Sequence, residues 1–195
     1  MLATASTMLT MVLTMTMTPL QPRAGLPTGY PFDYERQVVL ENGRSVCFRP
    51  VVPGDEPVLA REVASADADT LYQRFFSPAI RMDKKRLRFL TDVDYQRRFA
   101  LVGFVDGEGV AIGRFEPAGD HVAEVAVVVK SGWRQMGIAT AMLELLEEAA
   151  VERGMTKFVA LYLPSNHAIE RVLNKRGFEG ASVSSGVTQV IKRLS

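Results

Sequence analysis

Apolar and polar positions along this chain alternate with two different periods, and the places where the period changes mark out its elements. Gln37-Val-Val-Leu40 and Ser45-Val-Cys-Phe-Arg49 read as strands joined by the tight turn Glu41-Asn-Gly-Arg44. Pro53-Gly-Asp55-Glu-Pro57 then opens an amphipathic helix that runs to about Ala66, with Asp55 as its expected cap. A short helix carrying Leu71, Tyr72 and Phe75 begins across Asp67 to Thr70, and Arg81-Met-Asp-Lys-Lys-Arg-Leu-Arg88 predicts a basic helix whose Leu87 and Leu90 turn inward. Phe99 to Val105 and Val110 to Phe115 are strands about an Asp106-Gly107-Glu108-Gly109 turn, since Asp-Gly between apolar runs is a hairpin signal. A loop, Pro117-Ala-Gly-Asp120, leads into a further strand, Val122 to Val129, so three consecutive antiparallel strands are expected.

That last strand carries the most chemistry. Its β-branched run Val125, Val127, Val128, Val129 stops at Ser131-Gly132, and helical periodicity starts at once with Ile138, Met142, Leu145, Leu146 and Ala149, ending at Gly154. A helix that begins on a tight turn points unpaired N–H groups and the positive end of its dipole into that turn. Gly137 and Ala139 keep side chains short there, which suits an approaching pyrophosphate. Another apolar run, Phe158-Val-Ala-Leu-Tyr162, follows the helix.

Composition narrows the classes. A chain of 195 residues, 47% hydrophobic and 23% charged, can bury one good core, and a formal net charge of +1 leaves no excess of Lys and Arg for a run of nucleic-acid phosphates. The lone Cys47 excludes an internal disulfide and reads as a small core residue. With only His121 and His167 as imidazoles and no clustered ligand spacing, no metal site is expected. Residues 1–35 differ from the rest. Five of the nine methionines fall between Met1 and Met17, and Pro19, Pro22, Pro27 and Pro31 follow. The first basic residue is Arg23, which argues against a secretory signal, and Leu9 to Met17 is too short and too rich in threonine to span a bilayer. A disordered extension over 1–35, a single domain over 36–195 and a cytoplasmic protein without membrane or nucleic-acid partners are the expectations. A start codon at Met15 or Met17 would account for the odd N-terminus, and intact mass of the natively expressed protein would reveal it.

The spacing Arg134-x-x-Gly137-x-Ala139 resembles the acyl-CoA signature of the GNAT acetyltransferase superfamily: Gln or Arg, two residues, Gly, one residue, Gly or Ala. Its setting between a strand and a helix, the strand that follows, and the interval from Asn166 to Gly177-Phe178 extend the resemblance over about residues 44 to 180. Leu71-Tyr-Gln-Arg74-Phe-Phe-Ser77-Pro78, Asp92-Val-Asp94-Tyr95-Gln-Arg97-Arg98-Phe-Ala-Leu101 and Ala123-Glu124-Val125-Ala126 are similar to bacterial protein lysine acetyltransferases of the Pat type. That family acetylates an active-site lysine of acyl-CoA synthetases and so inactivates them. Its GNAT domain is often fused to a regulatory module, for which the segment before Arg44 is too short.

The resemblance implies a GNAT fold: an α/β (α+β) domain with a mixed, mainly antiparallel sheet, flanking helices and a V-shaped splay at the acetyl-CoA site. It implies that Val127, Val128 and Val129 carry the pantetheine and the developing oxyanion, and that the N–H groups of Arg134, Gln135, Met136, Gly137, Ile138, Ala139 and Thr140 hold the pyrophosphate, with Arg134 adding charge. Asn166 is the implied ligand of the pantetheine amides, with helix capping as its other reading. Trp133 either stacks on the cosubstrate or covers the turn. Holding a lysine neutral at pH 7 costs about 4 to 5 kcal/mol given an ordinary pKa near 10.4, so a general base is needed, and the resemblance places Glu124 in that role. Many relatives supply a tyrosine as general acid where this chain has Leu173; Tyr162 and Tyr95 are alternatives, each better read as buried packing. The expected activity is acetyl transfer from acetyl-CoA to a protein lysine, such as one in an acyl-CoA synthetase. A small-amine N-acetyltransferase and a non-catalytic acyl-CoA sensor are the alternatives.

Overall fold

The computed structural model describes residues 25–76 and 83–195. Eight strands form one sheet in the order β1-β2-β3-β4-β5-β6-β8-β7: β1 Arg36–Val39, β2 Ser45–Pro50, β3 Phe99–Val105, β4 Glu108–Gly119, β5 Val122–Val129, β6 Lys157–Tyr162, β7 Glu179–Ser184 and β8 Val187–Arg193. Every neighbouring pair is antiparallel except β5 with β6, which is parallel. The helices are α1 Glu56–Ser65, α2 Ala68–Phe75, α3 Lys84–Thr91, α4 Ile138–Glu152 and α5 His167–Lys175. This is the open, mainly antiparallel mixed sheet with flanking helices that the resemblance implies.

α4 connects β5 to β6 and packs against β3, β4 and β5. Its buried residues include all five periodic positions, Ile138, Met142, Leu145, Leu146 and Ala149, and Gly154 turns the chain afterwards with φ +74°. Gly113 in β4 makes this close packing possible, because a Cβ there would lie 2.5 Å from Met142 Sδ. An aromatic seam continues the core: Tyr34 meets Phe99 edge-on with ring centroids 5.0 Å apart, Phe99 stacks on Phe115 at 5.6 Å, and Phe115 contacts Phe158 at 5.9 Å.

Several details depart from the sequence expectations. The packed unit begins before residue 36, since Tyr30 and Tyr34 lie in the core at 7% and 2% exposure; residues 1–24 of the expected extension lie outside the described residues. The hairpin turn is only Asp106-Gly107, both with positive φ, so β4 starts at Glu108. Pro117 to Gly119 is strand rather than loop: β4 runs on to Gly119 through an irregularity in its pairing with β5. Asp55 does not cap α1. Its carboxylate is taken by a buried two-pronged pair with Arg49 (2.6 and 2.7 Å) and by the Val52 N–H, so the charge that would have capped the helix instead ties it to β2. Asp67 and Asp83 do cap α2 and α3, accepting from Thr70 and Arg86 N–H. Leu87 is buried as expected, whereas Arg81 and Met82 of the expected basic helix lie outside the described residues.

Candidate active site

The site forms where β5 and β6 part. β5 pairs with β4 from Val122 to Val129, but with β6 only from Val122↔Lys157 to Val125↔Ala160. Beyond that point β6 keeps its other partner, β8, as far as Tyr162↔Thr188. Residues 126–129 of β5 therefore have a strand on one side only, and their open edge offers backbone N–H and C=O groups to an extended ligand.

The chain then turns through a 3-10 segment, Ser131–Trp133, into α4. Gln135 and Gly137 both take positive φ, at +62° and +85°. At Gly137 this conformation, rather than crowding, accounts for glycine: an added Cβ would meet only Leu40, at 3.9 Å. No side chain caps the N-terminus of α4 and no acidic residue occupies its first turn, so the N–H groups there face a cavity of about 500 Å³ with the dipole's positive end behind them. Glu124, Val127, Val128, Val129, Arg134, Gln135, Gly137, Ile138, Ala139, Thr140 and Asn166 all line this cleft. Met136 is the exception among the expected residues, its side chain packing against the hydrophobic core.

Arg134 lines the cleft and also holds two elements of its wall together. Its Nε donates to the Val129 carbonyl at 3.2 Å and its Nη2 to Thr70 Oγ1 at 2.7 Å, while the Thr70 hydroxyl donates to Asp67 at 2.6 Å. The guanidinium thus ties the end of β5 to the first turn of α2. The Thr70 hydroxyl and N–H hold the Asp67 carboxyl below the usual carboxylate range. Trp133 lines the cleft, with the Arg44 guanidinium 4.3 Å from the centre of its ring. Asn166 Oδ1 accepts from Ile169 N–H at 3.2 Å, so this residue caps α5 while lining the cleft.

Glu124 lies opposite Glu116 of β4 and beside Val159 of β6, at the last stretch of pairing before the splay. Glu116 is matched by two arginines: Arg98 Nε and Arg114 Nε each donate to it at 2.8 Å. Asp94 positions Arg98 by accepting three successive backbone N–H groups, those of Gln96, Arg97 and Arg98. Arg74 on α2 lines the same cleft. Burial lowers its proton affinity, and the carboxylates of Glu124 and then Glu116 act in the opposite direction. The region around Glu124 is thus a set of alternating charges rather than an isolated carboxylate.

Leu173 lines the cleft and is buried, and Tyr162 lies at the mouth of the V, its phenol pushed up by burial and by the Glu170 carboxylate. Tyr95 is excluded from the cleft: buried, with φ +58°, it donates to the Val51 carbonyl at 2.8 Å. Thr70 and Glu116 were not among the sequence-derived site residues. The expected loop at 117–120 concealed Glu116, because only a continuous hairpin puts it across from Glu124. Among the described residues, no group of three or more His, Cys, Asp or Glu side chains is arranged to hold a metal ion, and no helix is long and apolar enough to cross a membrane.

Comparison with known proteins settles the family. Residues 66–178 match the Acetyltransferase (GNAT) family. The chain belongs to the GNAT acetyltransferases. It is 29% identical over 144 residues to acetyltransferase Pat of Mycolicibacterium smegmatis, a match covering 72% of this chain and 43% of that protein. It is also 26% identical over 161 residues to acetyltransferase PA5475 of Pseudomonas aeruginosa, covering 80% of this chain and 87% of that one. The structure superposes on the GNAT domain of S. lividans PAT with a TM-score of 0.80 at 30% identity, over 85% of this chain and 99% of that domain. The chain thus spans less than half of M. smegmatis Pat but nearly all of the S. lividans domain.

Proposed function

We propose that this acetyltransferase moves the acetyl group of acetyl-CoA to the side-chain amine of a protein lysine, with Glu124 as general base. The observation that carries the reading is the position of Glu124, on the α2-facing side of β5 at the point where the free edge of residues 126–129 begins and the cleft opens. The N–H groups in the first turn of α4 receive the pyrophosphate, and the open edge of β5 holds the pantetheine amides and polarises the thioester carbonyl. Glu124 takes a proton from the acceptor ammonium. The freed nitrogen bonds to the carbonyl carbon, the carbon–sulfur bond breaks, the nitrogen gives its second proton to solvent, and the thiolate leaves to take a proton from solvent, Leu173 having none to give.

Two things favour a protein acceptor: the resemblance to Pat-type enzymes at segments 71–78, 92–101 and 123–126, and the similarity to the GNAT domain of S. lividans PAT. An acyl-CoA synthetase is the first substrate to try. Incubating the full chain with acetyl-CoA and a purified acyl-CoA synthetase, followed by intact-mass and peptide mapping, should show a single acetyl group on the synthetase's active-site lysine. Acetylation confined to polyamines or amino acids offered in parallel would overturn the protein-acceptor reading. Tight acetyl-CoA binding with no acetylated product of either kind would point to an acyl-CoA sensor.

A further inference from the structure

A second cavity, of about 200 Å³, lies on the sheet face opposite α4, beneath α1 and α2. It shares Thr70, Arg74, Ala126 and Val128 with the cleft, so the two spaces meet along β5. Its walls are apolar: Leu59 and Val63 of α1, Leu71 of α2, and Val102, Ile112 and Val128 of the sheet. All six are only half-buried, and α1 has no buried residue at all. Apolar side chains from two helices and three strands thus converge on a common space without filling it.

The strand register fixes how the cavity relates to the chemistry. Glu124, Ala126 and Val128 alternate onto one face of β5, opposite Glu116, Arg114 and Ile112 of β4. Moving along that face from the proposed base, the first side chain is the small Ala126, and the apolar floor of the cavity begins there. We propose that this cavity is an acyl-chain pocket, which admits linear acyl groups longer than acetyl carried on the same thioester. The inference rests on the reading of the cleft as the acyl-CoA site. An apolar cavity of roughly 150 Å³ holds a six-carbon ring such as benzene, so this one has room for a chain of about six carbons. The charged residues that line it are balanced, Arg74, Arg114 and Lys130 against Asp55, Glu62 and Asp67, so what distinguishes the cavity is its apolar wall, which suits a neutral chain delivered by the thioester. Transfer then proceeds as with acetyl: the amine–carbonyl bond forms, the carbon–sulfur bond breaks, and Glu124 holds the amine's proton.

Calorimetric titration of the full chain with acetyl-CoA, butyryl-CoA and hexanoyl-CoA tests this without relying on turnover. Each methylene fully buried tightens binding about fourfold, so hexanoyl-CoA should bind at least about tenfold more tightly than acetyl-CoA. Val63→Phe fills the cavity from α1 and should abolish the gain while leaving acetyl-CoA affinity unchanged. Leu59→Ala enlarges it and should shift the preference toward octanoyl-CoA, which keeps the test informative should the larger side chain disturb folding. Equal or weaker binding of hexanoyl-CoA by the wild type overturns the pocket, and so does a Val63→Phe protein that retains the chain-length preference. Failure of acetyl-CoA itself to bind would remove the cleft reading and the pocket together.

Discussion

The two faces of the sheet are built on different terms. On one, α4 buries Ile138, Ala141, Met142, Leu143, Leu145, Leu146, Ala149 and Ala150 against strands whose Gly113 leaves room for Met142. On the other, α1 buries nothing fully, α2 is fixed at its start through Thr70 and Arg134, and the sheet carries Arg114 under an apolar space, with Glu116 and Glu124 further along the same face. The closely packed face holds the turn and helix N-terminus that would bind phosphate at a constant place. The looser face leaves space beside the proposed base. Stability and chemistry are thereby separated across a single layer of strands, with β5 belonging to both.

If that division is real, equal truncations on the two faces should cost very different amounts. Leu146→Ala, at a fully buried site, should destabilise by about 2 to 5 kcal/mol in urea unfolding, whereas Leu59→Ala on α1 should cost less than about 1 kcal/mol. Similar losses at both positions would erase the distinction. Gly113→Ala sharpens it from the other side: the new methyl must displace Met142, and overpacking of this kind should lower stability by about 1 to 3 kcal/mol. Thr70→Val removes the hydroxyl between Arg134 and Asp67 and should cost about 0.5 to 1.5 kcal/mol. Hydrogen exchange should then show α2 opening more readily while α4 keeps its protection.

The smallest effect concerns pH on the looser face. Burial opposes ionisation of Asp94, but the N–H groups of Arg98, Gln96 and Arg97 outweigh it and hold the carboxyl below the usual range. A carboxyl depressed in the folded state adds stability above its unfolded pKa, and that contribution is lost as pH falls through the folded value. Asp94→Asn should therefore lower stability at neutral pH and flatten the acid limb of the stability curve, its difference from the wild type disappearing as pH falls below about 4.

Much of the packed face was legible from the sequence, because periodicity reports burial directly. Ile138, Met142, Leu145, Leu146 and Ala149 recur at helical steps, and Arg134, Gly137 and Ala139 stand at the junction with the strand before them. The looser face was harder to read. Asp55 has the look of a cap, and only the three-dimensional proximity of Arg49 shows that its carboxylate is engaged elsewhere. Pro117 and Gly119 have loop chemistry, yet they occupy an irregular strand end, and this hid the pairing of Glu116 with Glu124. The Arg134–Thr70 contact joins residues 64 positions apart, which no local pattern encodes. Long-range polar contacts and half-filled spaces leave little trace in periodicity, and the candidate chemistry is concentrated among them.

The central claim is that Glu124, at the seam between the two faces, is the base for acyl transfer, and Glu124→Gln tests it most directly. Steady-state acetyl transfer and acetyl-CoA titration should be measured on both proteins, with thermal unfolding as a check on folding. Melting temperature and acetyl-CoA affinity should be unchanged, with kcat reduced by about 10² to 10⁴. A folded Glu124→Gln protein that transfers acetyl at the wild-type rate would contradict it.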